Sequence, residues 1–496
     1  MAAIITEKFR LNNAKQFVED ITQTSSVAYT FIGRGHAWTD DASPPTPVDS
    51  PNDEFDAYRN MVALKKISTS DISHAIVRRD WTSGTTYDEY RHNYTSSNAA
   101  SSGATTLWSS LYYVITDDYN VYKCLSNGTA DHTAVNTSTV KPDHTTLATP
   151  TESDQYQWKY MFSISASDVI KFVTNDFIPV KTLGAQLAVA GGVDTGSQDG
   201  RLGDASTDDG SAQWDVENGA VDGALQKARI VATGSNYNNA TTTGITIRGD
   251  GDGAGRCSVT TAGGVVTVVS ITTAGSGYTT AWIANEDIPG ADNVNQAADG
   301  TLVSANIEFI IQPKNGHGAD PIEELGGNYV ILNSRLEYAE GDDFPTDNDF
   351  RQIGVVINPT NAGGNAVCSA ATRAAYKVAT FDSSGWSAPA VDTVIRNAST
   401  EVVGSAVGIV VSVDSTNRKV SYLPYANESN NYVAFADGNT VLSGAEGSAT
   451  THGTIDGTPT AEEVERYSGD IIYLENRTAV SRASDQIEDI KLIVEM

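Results

Sequence analysis

Cysteine is scarce in this 496-residue sequence, which contains three. They are an odd number, they lie more than a hundred residues apart, and none belongs to a CxxC pair. This spacing is unsuited to a disulfide framework or a thiolate metal site and predicts reduced, buried thiols. The three are Cys124, Cys257 and Cys368.

Long apolar runs are also missing. No stretch of about eighteen apolar residues occurs, so the sequence predicts no transmembrane helix. Met1–Arg10 contains Glu7, Lys8 and Arg10 at the positions where a signal peptide needs an apolar core. We therefore expect a soluble protein that is not exported by that route.

Positive charge is low as well. Lys and Arg total 32 against 62 Asp and Glu, which gives a formal net charge of -30. Such a chain repels a phosphate backbone, so nucleic acid is a poor candidate ligand. The same charge keeps a chain soluble and monomeric until a shape-matched protein partner overrides the repulsion.

Catalytic and metal-binding motifs are mostly missing. The sequence has no GxxxxGK[ST], HExxH or GxSxG pattern. The seven histidines never lie four residues apart, so no helix would present a two-histidine metal face. We expect no enzymatic activity, no cofactor, no metal and no small-molecule substrate. The histidines are His36, His74, His92, His132, His144, His317 and His452.

The length and the composition indicate several strand-rich units. The length exceeds what one hydrophobic core usually supports, and 40% hydrophobic residues with 43 glycines suit a folded, loop-rich β protein. A short strand is predicted at Ala2–Phe9. Apolar residues then recur at helical spacing from Leu11 to Ile21, which predicts a first helix. Ser50-Pro51-Asn52-Asp53 is typical of the N-terminus of a second helix.

Strands are predicted wherever β-branched and aromatic residues alternate or cluster between turn residues. Leu111–Thr116 and Tyr119–Leu125 are expected to form a hairpin, and Gln157–Ile164 is expected to be half-buried. The predicted strands are Leu111–Thr116, Tyr119–Leu125, Gln157–Ile164, Gly244–Arg248, Val265–Thr272, Phe309–Ile311, Tyr329–Leu336, Gly354–Ile357, Val407–Val413, Lys419–Leu423, Asp470–Leu474 and Ile487–Val494.

Two stretches differ in composition and are interpreted as insertions, because Gly, Ala, Ser and Thr dominate them. The predicted domains are an N-terminal α+β core at 1–181, an inserted β-rich domain at 182–306, a core continuation at 307–360, a second inserted β-rich domain at 361–461 and C-terminal core strands at 462–496. The first insertion contains a repeat, Gly234-Ser235-Asn236-Tyr237 and Gly275-Ser276-Gly277-Tyr278.

Two features of the first insertion allow more than one interpretation. Gly249-Asp250-Gly251-Asp252-Gly253 offers hard oxygen ligands for calcium, but a solvated turn is favoured because Asp and Gly are ordinary turn residues. The tyrosines of the repeat suit stacking on a sugar, although such residues more often plug the end of a small β core.

Seven segments, in one order, resemble the gene-product-eight family of baseplate wedge proteins from T-even-like contractile-tailed phages. They cover a little over half of the chain, and the two odd stretches depart from the family pattern. The segments are Thr6–Arg10, Phe31–Trp38 with Pro44, Pro45 and Pro47, Ile76–Trp81, Val121–Leu125, Tyr156–Phe162, Phe350–Pro359 and Ser468–Arg477.

This resemblance implies a wedge subunit of the tail baseplate that is made and assembled in the host cytoplasm. It implies a homodimer that contacts other wedge proteins, and a mainly β (α+β) fold with a β-sandwich core, a small helical part and, here, two inserted glycine-rich β domains. We expect the chain to bridge neighbouring wedge proteins during baseplate assembly and tail contraction. The alternative is a glycan-binding or adhesion module on the tail.

Two polar segments are candidate interface residues. Arg78, Arg79, Asp80 and Trp81 could form a bidentate, stacked cluster at an interface, or an internal ion pair that pins a loop. Glu475, Asn476 and Arg477 are expected to form a fixed polar turn between the last two strands, exposed to a partner.

Overall fold

A computed structural model describes residues 4–23, 25–128, 135–183, 209–288, 302–445 and 448–496. Most of the ordered elements are antiparallel strands, which confirms a mainly β fold. Within these residues no helix is long and apolar enough to cross a membrane. All three cysteines are free and buried, as predicted.

The helices are few and short, and two short 3-10 turns lie at Thr69–Asp71 and Asn285–Asp287. Helix α2 begins as predicted, because the Ser50 hydroxyl accepts a hydrogen bond from the Asp53 N–H at 3.3 Å and Pro51 occupies the first turn. The helices are α1 Glu7–Thr22, α2 Pro51–Asn60, α3 Ala166–Phe172, α4 Ala212–Asn218 and α5 Pro321–Leu325.

The prediction of a strand at Ala2–Phe9 is wrong, because α1 begins at Glu7. The Thr6 hydroxyl accepts a hydrogen bond from the Phe9 N–H at 3.2 Å and so caps the first turn of that helix. Leu11, Ala14, Val18 and Ile21 form its buried face. A capped first turn therefore overrides the local alternation that suggested a strand.

The strands are numbered in chain order. The first twelve are β1 Ala28–Gly33, β2 Met61–Lys66, β3 Ile72–Val77, β4 Tyr113–Ile115, β5 Asn120–Asn127, β6 Tyr156–Ser163, β7 Phe177–Val180, β8 Leu225–Ala232, β9 Ala240–Thr246, β10 Arg248–Gly249, β11 Arg256–Ala262 and β12 Val265–Thr273. The others are β13 Ala281–Trp282, β14 Asn306–Ile311, β15 Tyr329–Glu337, β16 Asn348–Ile357, β17 Thr372–Ala374, β18 Lys377–Thr380, β19 Val394–Arg396, β20 Val407–Asp414, β21 Lys419–Tyr425, β22 Thr440–Ser443, β23 Thr450–Thr454, β24 Asp470–Arg482 and β25 Ile487–Glu495.

The chain divides into two compact units, and each is assembled from separated segments. Unit 1 comprises Met1–Val18, Ser73–Ile331 and Ile493–Met496, and unit 2 comprises Glu19–Ile72 and Leu332–Leu492. The five domains expected from composition stay a prediction.

Unit 1 contains the predicted hairpin, since β4 pairs with β5 and β5 with β6 in an antiparallel sheet. Apolar side chains of this sheet pack with Leu11, Ile76 and Ile322. Strand β6 is buried along most of its length, so the expectation of a half-buried strand is wrong. Its Trp158 is buried completely and stacks on Tyr156 at 5.4 Å between ring centroids.

A second core of unit 1 lies within residues 225–311. There β9, β11 and β12 form one antiparallel sheet, and β8 pairs with β14. Tyr237 and Tyr278 of the repeat are both buried in this core. The repeat therefore plugs the β core, and its tyrosines are not presented for sugar stacking.

Unit 2 contains a five-stranded sheet in the order β17-β2-β1-β16-β24. Its core includes Tyr29, Phe31 and Leu64, and Gly354 on β16 leaves the space that the Phe31 ring occupies. A six-stranded sheet in the order β18-β21-β20-β19-β22-β23 has its own core around Phe381, Val410 and Tyr422. The strands predicted at Val407–Val413 and Lys419–Leu423 are the adjacent, antiparallel strands β20 and β21 of this sheet.

Candidate functional site

The exposed part of the Arg78–Trp81 segment is an ion pair. Arg78 follows β3, and its guanidinium donates to the Asp80 carboxylate. Its Nε lies 3.1 Å from Oδ1 and 3.0 Å from Oδ2, and its Nη2 lies 2.9 Å from Oδ1. Nη1 of Arg78 donates to the Thr174 carbonyl at 3.0 Å. The hydrogen bonds to Asp80 raise the pKa of Arg78.

The other two side chains of the segment point elsewhere. The Arg79 guanidinium donates to the carbonyls of Ser110 and Trp108 and lies 4.5 Å from the centre of the Tyr113 ring. The Trp81 Nε1 donates to the Ser138 hydroxyl at 3.0 Å. The structure thus does not gather the four side chains into one stacked group: Arg79 and Trp81 hold internal loops, and Arg78 with Asp80 faces solvent.

The expected turn at Glu475–Arg477 is wrong, because these residues lie inside β24. Glu475 and Arg477 are two residues apart on one face, and their Oε1 and Nε atoms are 3.4 Å apart. Asn476 donates to the Pro45 carbonyl at 3.0 Å, and Trp38 donates to the Arg477 carbonyl at 3.0 Å. Polar residues persist in the strand because β24 is at the edge of its sheet and half of it faces solvent.

An open apolar groove of about 680 Å³ lies beside the start of α1. Ile4 and Ile5, both exposed, contribute to one side. Lys123 and Glu324 lie at its buried end. Its further apolar lining consists of Leu11, Tyr94, Leu107, Trp108 and Pro313.

The buried end of the groove is a charge centre that sequence reasoning missed. Lys123 Nζ is 2.6 Å from Glu324 Oε2 and 4.2 Å from the centre of the Tyr90 ring. Glu324 Oε1 accepts hydrogen bonds from the Gly318 and Asp320 N–H groups at 2.7 and 3.3 Å. One signal was available in the sequence, since Lys123 is a charged residue within the apolar strand Val121–Leu125.

The electrostatics of this centre favour structure over catalysis. Burial lowers the pKa of Lys123, and the Glu324 carboxylate opposes that effect. Burial would raise the pKa of Glu324, but attraction to Lys123 and hydrogen bonding bring it to about 2. Burial also lowers the pKa of His317 to about 3, so its imidazole is neutral at pH 7. The charges of Lys123 and Glu324 thus compensate each other in the buried site, and removing one partner would leave the other uncompensated.

The Asp/Gly turn of the first insertion uses its carboxylates internally. Asp250 Oδ1 accepts from the N–H groups of Thr279 and Thr280 at 2.8 and 2.9 Å. Asp252 accepts from Ser276 Oγ at 3.0 Å and from the Ala254 N–H at 2.9 Å. Across the described ranges no group of three or more His, Cys, Asp or Glu residues is arranged to hold a metal ion.

Comparisons with known proteins give matches to phage proteins. Residues 3–142 match a family model described as Bacteriophage T4, Gp8. Baseplate wedge protein gp8 of Enterobacteria phage T4 is 27% identical over 214 residues. That match covers 36% of this chain and 60% of the relative. Residues 3–142, which include Arg78–Trp81 and Lys123, therefore resemble the Gp8 family, whose matched relative is a baseplate wedge protein.

Proposed function

We propose that this chain is a structural subunit of a phage tail baseplate wedge. It forms a homodimer, bridges neighbouring wedge proteins during baseplate assembly and tail contraction, and resides in the virion. The match of residues 3–142 to the Gp8 family carries this proposal. The proposal assigns the chain no catalytic role, no cofactor and no nucleic-acid ligand.

The surface chemistry supports protein contacts of a selective kind. The net charge of -30 opposes unspecific association, so a stable contact needs a complementary surface. The Arg78–Asp80 pair is fixed by its own hydrogen bonds, and Glu475, which pairs with Arg477 at 3.4 Å, accepts a hydrogen bond at 2.9 Å from the Tyr473 hydroxyl. Such fixed pairs lose little conformational entropy on binding and suit a polar contact inside an interface.

The mechanism of a wedge subunit is differential contact. An interface that packs in only one tail state shifts the equilibrium toward that state by its differential free energy. A permanent assembly is expected to bury at least about 1,600 Å² in total per interface. The chain thus acts through the surfaces that hold neighbouring wedge proteins in register.

The first experiment measures mass and partner binding of the purified chain. Light scattering over a range of concentrations is expected to give twice the chain mass of 52.5 kDa, and mixing with wedge proteins of the same phage is expected to give a larger complex. Imaging of virions is expected to locate the chain in the baseplate. A monomer at all concentrations that binds no wedge protein would refute the proposal.

The second experiment tests the two candidate segments with matched variants. Glu475→Ala with Arg477→Ala is expected to weaken wedge binding about tenfold or more, since a desolvated ion pair at an interface is lost. Arg335→Ala with Glu337→Ala is the control, because that pair has the same spacing, a 3.0 Å contact and similar exposure. Equal loss in both double variants would show that general surface charge acts, not this segment.

The Arg78–Asp80 pair is tested in the same assay. Replacing both residues with Ala is expected to weaken the complex and reduce its salt dependence. Lys141→Ala is the control, because Lys141 forms an exposed ion pair with Asp117 at 2.7 Å in the same unit. Unchanged affinity in the Arg78/Asp80 variant would remove this segment from the interface.

A further inference from the structure

An exposed tryptophan in the first β-rich region has no role in the core. Trp282 is 50% exposed and lies on β13. Among the described residues no aromatic ring or guanidinium group stacks on its indole. Such an indole face, open to solvent, is available to pack against the apolar face of a ligand.

Polar groups lie beside this indole on the same face of the strand pair. Arg248 on β10 is the direct cross-strand partner of Trp282, which places their Cβ atoms about 5 Å apart. Arg248 Nη2 is 2.9 Å from Asp287 Oδ2, and Nη1 is 3.7 Å from Glu286 Oε1. All three charged side chains remain partly exposed. One apolar ring face is thus flanked by hydrogen-bond donors and acceptors.

The platform is held rigid from both sides. Before β13, the Asp250 carboxylate accepts the N–H groups of Thr279 and Thr280, at 2.8 and 2.9 Å. After β13, Asn285 accepts a hydrogen bond at 2.6 Å from the hydroxyl of the buried Tyr237. A site fixed before binding loses less entropy when its ligand arrives.

We propose that Trp282, Arg248, Glu286 and Asp287 form a binding subsite for a neutral saccharide. The C–H face of a sugar ring packs on the indole, while the guanidinium and carboxylates bind its hydroxyl groups. Neutral sugars are specified because two carboxylates and a chain charge of -30 repel acidic ones. This binding activity is separate from the wedge role and does not depend on it.

The test is saturation-transfer NMR on the full chain with three neutral disaccharides: maltose, lactose and diacetylchitobiose. At least one is expected to receive saturation on the C–H protons of one ring face. Trp282→Ala is expected to lower that affinity about tenfold or more, and Trp282→Phe is expected to keep part of it. Tyr338→Ala is the control, because Tyr338 is equally exposed, at 50%, in the other unit.

Circular dichroism of each variant reports whether the fold is retained. The proposal is wrong if none of the three sugars receives saturation from the wild-type chain at millimolar concentration. It is also wrong if folded Trp282→Ala binds as well as wild type, or if only acidic saccharides bind.

Discussion

Replacing Lys123 by Met should destabilise unit 1 strongly. The change removes the ammonium but keeps most of the side-chain volume, so the Glu324 carboxylate stays buried without its 2.6 Å partner. The N–H groups of Gly318 and Asp320 remain, but they do not neutralise a charge. We expect a loss of about 3 to 5 kcal/mol in the free energy of unfolding.

The pH dependence of this loss follows from the carboxyl group. In the wild type the pKa of Glu324 is lowered to about 2, so its stabilising contribution is present above the unfolded value and disappears as pH falls toward 2. Without Lys123, burial is expected to raise that pKa above the unfolded value, which makes the carboxylate destabilising near pH 7. The deficit of Lys123→Met should therefore be largest near neutral pH and shrink in acid.

Native-state hydrogen exchange of β5 measures this locally, which matters because a two-unit chain need not unfold in one step. Adding Glu324→Gln should return part of the loss, since no unpaired charge then remains. Lys141→Met, which removes an exposed ion pair, should leave β5 exchange unchanged. Unaltered exchange in Lys123→Met, or a double variant that loses the sum of both single losses, would refute this reasoning.

Three further changes have defined outcomes in unit 2. Asp392→Asn should raise the free energy of unfolding at pH 7 by about 1 kcal/mol, and the gain should vanish toward pH 4. Burial raises the Asp392 pKa to about 6, and the full shift is discounted because the residue is only partly buried. Asn427→Ala should lower unfolding free energy by about 2 to 3 kcal/mol, because its amide donates to three backbone carbonyls. Gly354→Ala should lower it by about 1 to 3 kcal/mol, since the new methyl group overlaps the Phe31 ring. Urea titration at pH 7 and pH 4 measures all three.

The changes at Asp392 and Asn427 each have a control. Asp349→Asn, the same chemical change in a carboxylate that pairs with Arg351 at 3.1 Å, should destabilise the unit instead. Asn431→Ala changes a nearby exposed asparagine whose side chain does not hold these carbonyls. An Asp392→Asn variant with lower stability at pH 7 would contradict the assigned effect of burial.

The sequence predicted those helices and strands whose determining residues lie within a few positions of one another. Helix α2 follows from Ser50 and Pro51 because cap and first-turn residues act on adjacent N–H groups. The β4–β5 hairpin follows from its turn at Asp117-Asp118. Where two local signals compete, as at Thr6 and the alternation around it, the cap decided the structure.

Features that depend on distant contacts were not predictable. Lys123 and Glu324 are 201 positions apart, so no local pattern pairs them. The same holds for Trp282, whose open ring face depends on its pairing with Arg248 and on the burial of Tyr237. Glu475–Arg477 looks like a turn in composition, but its strand conformation is set by pairing with β16.

The division of the chain has a consequence for its synthesis. Unit 1 includes Met1–Val18, which contains the first turns of α1, and it also includes Ile493–Met496, where the Met496 N–H donates to the Asn328 carbonyl at 3.3 Å. All of unit 2 is translated before that segment leaves the ribosome. The half that starts first is therefore completed second, and a nascent chain halted within unit 2 would expose an unfinished unit 1 to chaperones and proteases.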